Sequence, residues 1–296
     1  MKRFESQHRL GALLKGLVAL ALSVGCGAVA AQGIVSTRHN LSTSNTITGA
    51  NKLAAGGTAE VCVFCHTPHA AVRPVGVESP PLWNKNIPSG ATYNTYSTLN
   101  SSSIQGQVLP VGSISLACLS CHDGTQAMDN IVNAPGSGGL SNGGGAIGLT
   151  GAAWSWTGST RVDADGRLTG VANLGPDLRD DHPIGIQYCG GGINATGGTC
   201  NDADFRTPAT ATINGQRVWW VDTGGTQVGT REKGDMSLYS RDFGAPAGVG
   251  PAVECGSCHD PHVGPGQAAG TGRVTGATFL RISNDASAVC LSCHNK

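Results

Sequence analysis

Few long patterns emerge when the chain is read for apolar and polar positions. One apolar run, Leu17 to Val24, follows a basic stretch holding Lys2, Arg3, Arg9 and Lys15 and precedes the small residues Ala28-Val29-Ala30. That order predicts a cleaved export signal over residues 1–31. The run is too short for a membrane span. Downstream, Thr210 to Ile213, then Asn214-Gly215, then Arg217 to Val221 predicts a β-hairpin on an Asn-Gly turn. Trp219 and Trp220 would then point to opposite faces of it, at least one against the core. Asp163-Ala164-Asp165-Gly166 lacks the remaining ligands of a calcium loop and predicts a turn between Arg161-Val162 and Arg167-Leu168. Residues 135–151 are nearly all small and predict loop.

Composition explains why patterns are scarce. Of 296 residues, 45 are Gly and 14 are Pro, while aromatics make up 5% and charged residues 13%. Such a chain is rich in turns and short of large side chains for a core, so another element must hold it together. Formal charge is zero and no basic run exists, which argues against nucleic-acid binding. Beyond the N-terminus no stretch of about 20 apolar residues occurs, so no transmembrane helix is expected. Loss of residues 1–31 would remove four basic residues and one acidic one, leaving net −3 and ten of the 11 cysteines.

Eight of those ten fall into one pattern: Cys62-Val-Phe-Cys65-His66, Cys118-Leu-Ser-Cys121-His122, Cys255-Gly-Ser-Cys258-His259 and Cys290-Leu-Ser-Cys293-His294, here motifs 1 to 4. Chance predicts about 0.01 copies of Cys-x-x-Cys-His in a chain with 11 Cys and nine His. The spacing suits covalent haem c. On one helical turn, residues i and i+3 share a face and i+4 lies beside them. Two sulfurs can then bond the haem vinyl groups while the histidine reaches the iron. Thr58, Ser113 or Ser115, and Ser283 are candidate N-caps for motifs 1, 2 and 4, and motif 3 follows Pro251. Structural zinc and redox disulfides also use Cys-x-x-Cys, but neither asks for a histidine after the second cysteine in all four copies. Cys189 and Cys200 close a Gly-rich loop and are expected to form a disulfide in an oxidising compartment. Loop closure of this size contributes roughly 2–3 kcal/mol.

The histidines match the irons in number. Besides His8 in the leader and the motif ligands His66, His122, His259 and His294, four remain: His39, His69, His182 and His262. Each is an expected sixth ligand; Met128 and Met236 are the mature chain's alternative sulfur donors. His69 and His262 follow Cys65-His66-Thr67-Pro68 and Cys258-His259-Asp260-Pro261, where proline ends the turn. Such a histidine reaches a neighbouring haem more readily than its own. His182 has Asp180 and Asp181 beside it to orient its second ring nitrogen. With every iron bis-histidine, no axial position is open for substrate, which predicts an electron carrier and not an enzyme.

The expected fold is a multihaem cytochrome c: mostly coil and loop, short helices at the motifs, a few short strands, and haems forming the core. Residues 32–296 would be one tetrahaem domain, with haems 1–2 at 56–125, a Gly-rich insertion at 130–250, and haems 3–4 at 251–296. The doubled motif with Pro-His after it, His39-Asn-Leu-Ser near the mature N-terminus, and Asp181-His182-Pro-Ile-Gly resemble the tetrahaem extracellular cytochromes that polymerise into filaments. The resemblance covers about 33–125 and 176–296 and leaves 130–175 unplaced. It implies four haems c, a head-to-tail homopolymer on the cell exterior, and one distal histidine supplied across the subunit interface. His39, on an N-terminal arm, is the candidate for that ligand. The alternative is a soluble periplasmic tetrahaem carrier, or an electron-transfer subunit of a reductase complex, exchanging electrons with other periplasmic or outer-surface cytochromes.

Overall fold

The computed structural model describes residues 33–69, 71, 80–133, 154–194, 197–224, 229–262 and 279–296. The expected leader at 1–31 and the small-residue stretch 135–151 lie outside them. As expected, most of the chain is turn and coil. Among the described residues helix α1, Ser113–His122, is the one helix of ten residues; α2, Cys255–Cys258, and α3, Ala288–Cys293, are shorter. Leu116 and Leu119 lie three apart on α1 and are fully buried against Tyr93, Val111 and Leu178, which anchors the helix. Gly124, at φ 68°, follows its end, with its N–H donating to Cys121 O at 3.3 Å.

Strand content exceeds the expectation. A two-stranded ladder joins β1, Lys52–Leu53, to β2, Trp156–Thr157. A second, antiparallel sheet has the order β3-β7-β6-β5-β4, from β3 Ile186–Gln187, β4 Ala209–Ile213, β5 Gln216–Val221, β6 Met236–Asp242 and β7 Val249–Val253. It occupies much of the stretch read as a Gly-rich insertion. The hairpin β4–β5 is in the predicted register around Asn214-Gly215, with Ile213 opposite Gln216. Its partners β6 and β7 gave little sequence signal because Gly, Pro and Ser interrupt their alternation. The predicted turn at Asp163 also forms: Val162 bridges Leu168, and Asp163 Oδ1 accepts from the N–H groups of Asp165 and Arg167. That carboxylate holds its own turn.

Three apolar clusters make up the core of the described residues, the one around α1 among them. Leu53, Phe64, Met128, Ile131 and Trp154 form one, with Cys65 and Cys121 against it. Tyr188, Trp219, Val221, Met236 and Leu238 form another, with Cys200, Phe205 and Cys293 against it. Met128 and Met236 are thus core residues. Trp219 and Trp220 are both buried, so both faces of β5 are covered there. The expected disulfide Cys189–Cys200 is present, with Cα atoms 4.6 Å apart.

Candidate haem-binding motifs

Each motif closes on itself by one helical hydrogen bond. His66 N–H donates to Cys62 O at 2.8 Å, His259 N–H to Cys255 O at 3.0 Å, and His294 N–H to Cys290 O at 3.0 Å; motif 2 ends α1. This turn puts both cysteines and the histidine within reach of one planar group. None of the eight motif cysteines is in a disulfide. Burial pushes the thiols of Cys65 and Cys293 up to about 12 and that of Cys258 to about 11, so they stand neutral.

A repeated bracket holds three of the motifs, and nothing in the sequence pattern announced it. In motif 1, Asn84 donates its backbone N–H to Cys65 O at 2.9 Å and its Nδ2–H to Val63 O at 2.6 Å. In motif 3, Arg281 does the same, from its N–H to Cys258 O at 2.8 Å and from Nε to Gly256 O at 2.9 Å. In motif 4, Arg206 bonds Cys293 O at 2.9 Å and Leu291 O at 2.8 Å. The residue before each of these, Trp83, Leu280 or Phe205, bridges the motif histidine. Phe205 and Trp83 also touch the imidazole, with ring centres 4.7 Å and 5.8 Å away. The chain after the histidine returns the bond: Thr67, Asp260 and Asn295 donate N–H to Leu82, Phe279 and Asp204.

Among the described residues motif 2 has no such bracket, and it is joined to motif 3 instead. Ser115 Oγ donates to Glu254 Oε2 at 2.5 Å and accepts from Cys255 N–H at 2.9 Å. The candidate cap on α1 therefore caps α2, where Glu254 and Ser257 form a capping box. Glu254 is buried and paired with Arg241 at 2.5 Å. The joint brings Cys118 against Cys255, and a hydrogen bond from Cys118 raises its own pKa and lowers that of Cys255. Gly256 makes the approach possible: a Cβ there would meet Tyr239 Oη at 2.3 Å and Ile114 at 3.0 Å.

The histidines fall into pairs. His66 and His262 rings lie 6.2 Å apart at 16°, and His39 and His122 lie 6.1 Å apart at 79°. Two imidazoles on opposite sides of one metal, with bonds of about 2 Å, have ring centres about 6.3 Å apart. The separations of the two histidine pairs are compatible with that spacing. Among the described residues no three His, Cys, Asp or Glu side chains converge as a cage for a bare metal ion. Nδ1 of His66 bonds Pro81 O at 2.9 Å and that of His122 bonds Ala172 O at 2.8 Å, leaving Nε2 of each for a metal. The indole N–H groups of Trp83, Trp156 and Trp220 are buried with no acceptor among the described residues, as donors awaiting an anionic group would be. The residues present fit haem.

His39 lies beside His122 within its own chain, and burial together with His122, His262 and His259 lowers its pKa to about 3. One expectation changes: Asp180 and Asp181 do not orient the second ring nitrogen of His182, whose Nδ1 lies 3.0 Å from Pro183 O. His182 is exposed and in electrostatic range of His294, whose pKa is lowered by burial and then by His182. His69 is exposed, its carbonyl fixed by Thr67 and Asn133 at 2.9 Å each.

Among the described residues no helix is long and apolar enough to cross a membrane. No protein-family model and no curated protein matches the sequence.

Proposed function

We propose that the chain is an exported electron-transfer protein carrying four haems c, one on each motif, and that it serves as a subunit of an extracellular filament. The observation that carries the haem reading is the four-fold Cys-x-x-Cys-His turn, supported by the ring centres of His66 and His262 at 6.2 Å and of His39 and His122 at 6.1 Å. Cys62, Cys65, Cys118, Cys121, Cys255, Cys258, Cys290 and Cys293 would hold the haems by thioether bonds. His66, His122, His259 and His294 would be proximal ligands, with His39, His69, His182 and His262 distal. Bound haem supplies an iron that cycles between two oxidation states without moving its ligands. The chain's own part is positional. The brackets fix each cysteine turn, backbone carbonyls orient His66 and His122, and the Ser115–Glu254 joint keeps motifs 2 and 3 adjacent. Two histidines on every iron leave no site for substrate, which makes this a carrier and not an enzyme.

Filament assembly rests on the resemblance to polymerising cytochromes, with His69, exposed, as the histidine available to a neighbouring copy. A soluble periplasmic carrier is the second reading. It is favoured by the nearness of His66 and His262 inside one chain, and by the same logic His69 would serve the iron of motif 3 in that chain. Two measurements test these readings. A pyridine haemochrome assay with intact mass should return four haems per chain, and none would end the carrier reading. Electron microscopy should show filaments from the native chain and discrete particles from His69→Ala; filaments from both would clear His69, and particles from both would select the soluble carrier.

A further inference from the structure

Each bracketed motif has a cation beside its second cysteine. Arg281 lies in electrostatic range of Cys258, and Arg206 of Cys293. In motif 1 the bracket residue is the neutral Asn84, and the next residue, Lys85, supplies the charge to Cys65 and also to Cys121 of motif 2. Lys85 is fully buried. Its ammonium donates to Ala127 O at 2.9 Å, Met128 O at 3.3 Å and Asn130 O at 3.1 Å. An ammonium has three hydrogens, so none is left for a direct bond to a bound group. Met128 and Ile131, from that same carbonyl turn, belong to the cluster against which Cys65 and Cys121 pack.

Burying a cation is costly even when its hydrogens are satisfied. A neutral donor would hold the carbonyls more cheaply, so the charge itself calls for a use. We propose that Lys85, Arg281 and Arg206 set the reduction potentials of the haems on motifs 1, 3 and 4, Lys85 acting also on motif 2. The inference rests on the haem reading above. Reduction adds one electron to the site, and a nearby fixed cation favours that state, raising the potential. The effect grows as the local dielectric falls. The three cations are graded accordingly. Lys85 is fully buried; Arg281 is 12% exposed and has Asp260 at 3.9 Å to offset it; Arg206 is exposed. At motif 2 the effect of Lys85 is opposed by Asp123 and Asp129, both in range of Cys121. The strongest upward shift therefore belongs to motif 1.

Optical redox titration of the full chain tests this, after haemochrome and mass have shown four haems per chain in each variant. Lys85→Gln keeps N–H donors and removes the charge; Lys85→Arg keeps the charge. Expected is a move of part of the Lys85→Gln curve to lower potential, persisting at about 1 M salt, where exposed charges are screened within about 3 Å. Arg281→Gln should move it less, and Arg206→Gln least, with that shift lost in salt. Lys85→Arg should leave the curve in place. Curves for the three Gln variants that superimpose on the parent, with four haems present, overturn the inference while leaving the carrier reading intact; a haem-free parent ends both. Should Lys85→Gln fail to fold, Arg281→Gln and Arg206→Gln decide, since neither side chain is fully buried: unshifted curves from both refute the proposal, and graded shifts support it.

Discussion

Motifs 2 and 4 are the same pentapeptide, Cys-Leu-Ser-Cys-His, in two different seats. In motif 2 it is the last part of a ten-residue helix, and Leu119 is fully buried. In motif 4 it sits on a short helix that begins at Ala288, and Leu291 is 40% exposed. The first is held by its own helix and core. The second is held from outside, by Arg206 and Phe205 from 85 residues upstream. The pentapeptide therefore closes the same turn in both places, while the surrounding chain decides how it is seated. One helix-borne motif joined to three bracketed turns makes local and long-range support separable by mutation.

The largest expected effect lies where the two kinds of support meet. Glu254→Ala leaves Arg241 without its buried partner and should cost about 3–5 kcal/mol, read as a fall in denaturation midpoint; a loss below 1 kcal/mol would show the joint is dispensable. Next comes the pentapeptide itself. Leu119→Ala should cost about 2–5 kcal/mol, whereas Leu291→Ala should change stability by less than about 0.5 kcal/mol. Equal losses in the two would erase the distinction. Asn84→Ala removes bonds to Val63 O at 2.6 Å and Asn133 O at 2.9 Å, and should cost about 2–3 kcal/mol. Peptide mapping should then show haem lost from motif 1 and kept on motif 2. Arg206→Ala should cost less than Asn84→Ala: its backbone bond survives, and losing the exposed Nε contact should cost about 1 kcal/mol, with reduced haem retention at motif 4 alone.

What the sequence made legible was what local chemistry dictates. The motifs, the Cys189–Cys200 pair, the Asn214-Gly215 hairpin and the Asp163 turn are each set by residues within a short window. The brackets were hidden because the residues filling one role differ: Trp83-Asn84, Leu280-Arg281 and Phe205-Arg206 share no pattern, and two of the three bonds that define the role come from the backbone. Lys85 was hidden because a lysine reads as surface until its carbonyl partners, 42 to 45 residues away, are in place. The pairing of His39 with His122 depends on packing across the first 90 residues of the domain and has no local signature. Ser115 was read as a cap for the helix that contains it, and its hydroxyl serves the start of another, 140 residues on.

The brackets also have an order in time. Those of motifs 1 and 3 lie after the turns they hold, by 21 and 25 residues, whereas that of motif 4 comes 85 residues before. A chain made from its N-terminus therefore presents Cys62 to His66 and Cys255 to His259 before the brackets that hold them have been made. On the haem reading proposed above, an attaching enzyme would have an interval to work on those cysteines before the fold closes around them. Cys290 to His294 emerges when Asp204-Phe205-Arg206 is already behind it, so the last motif has the shortest such interval.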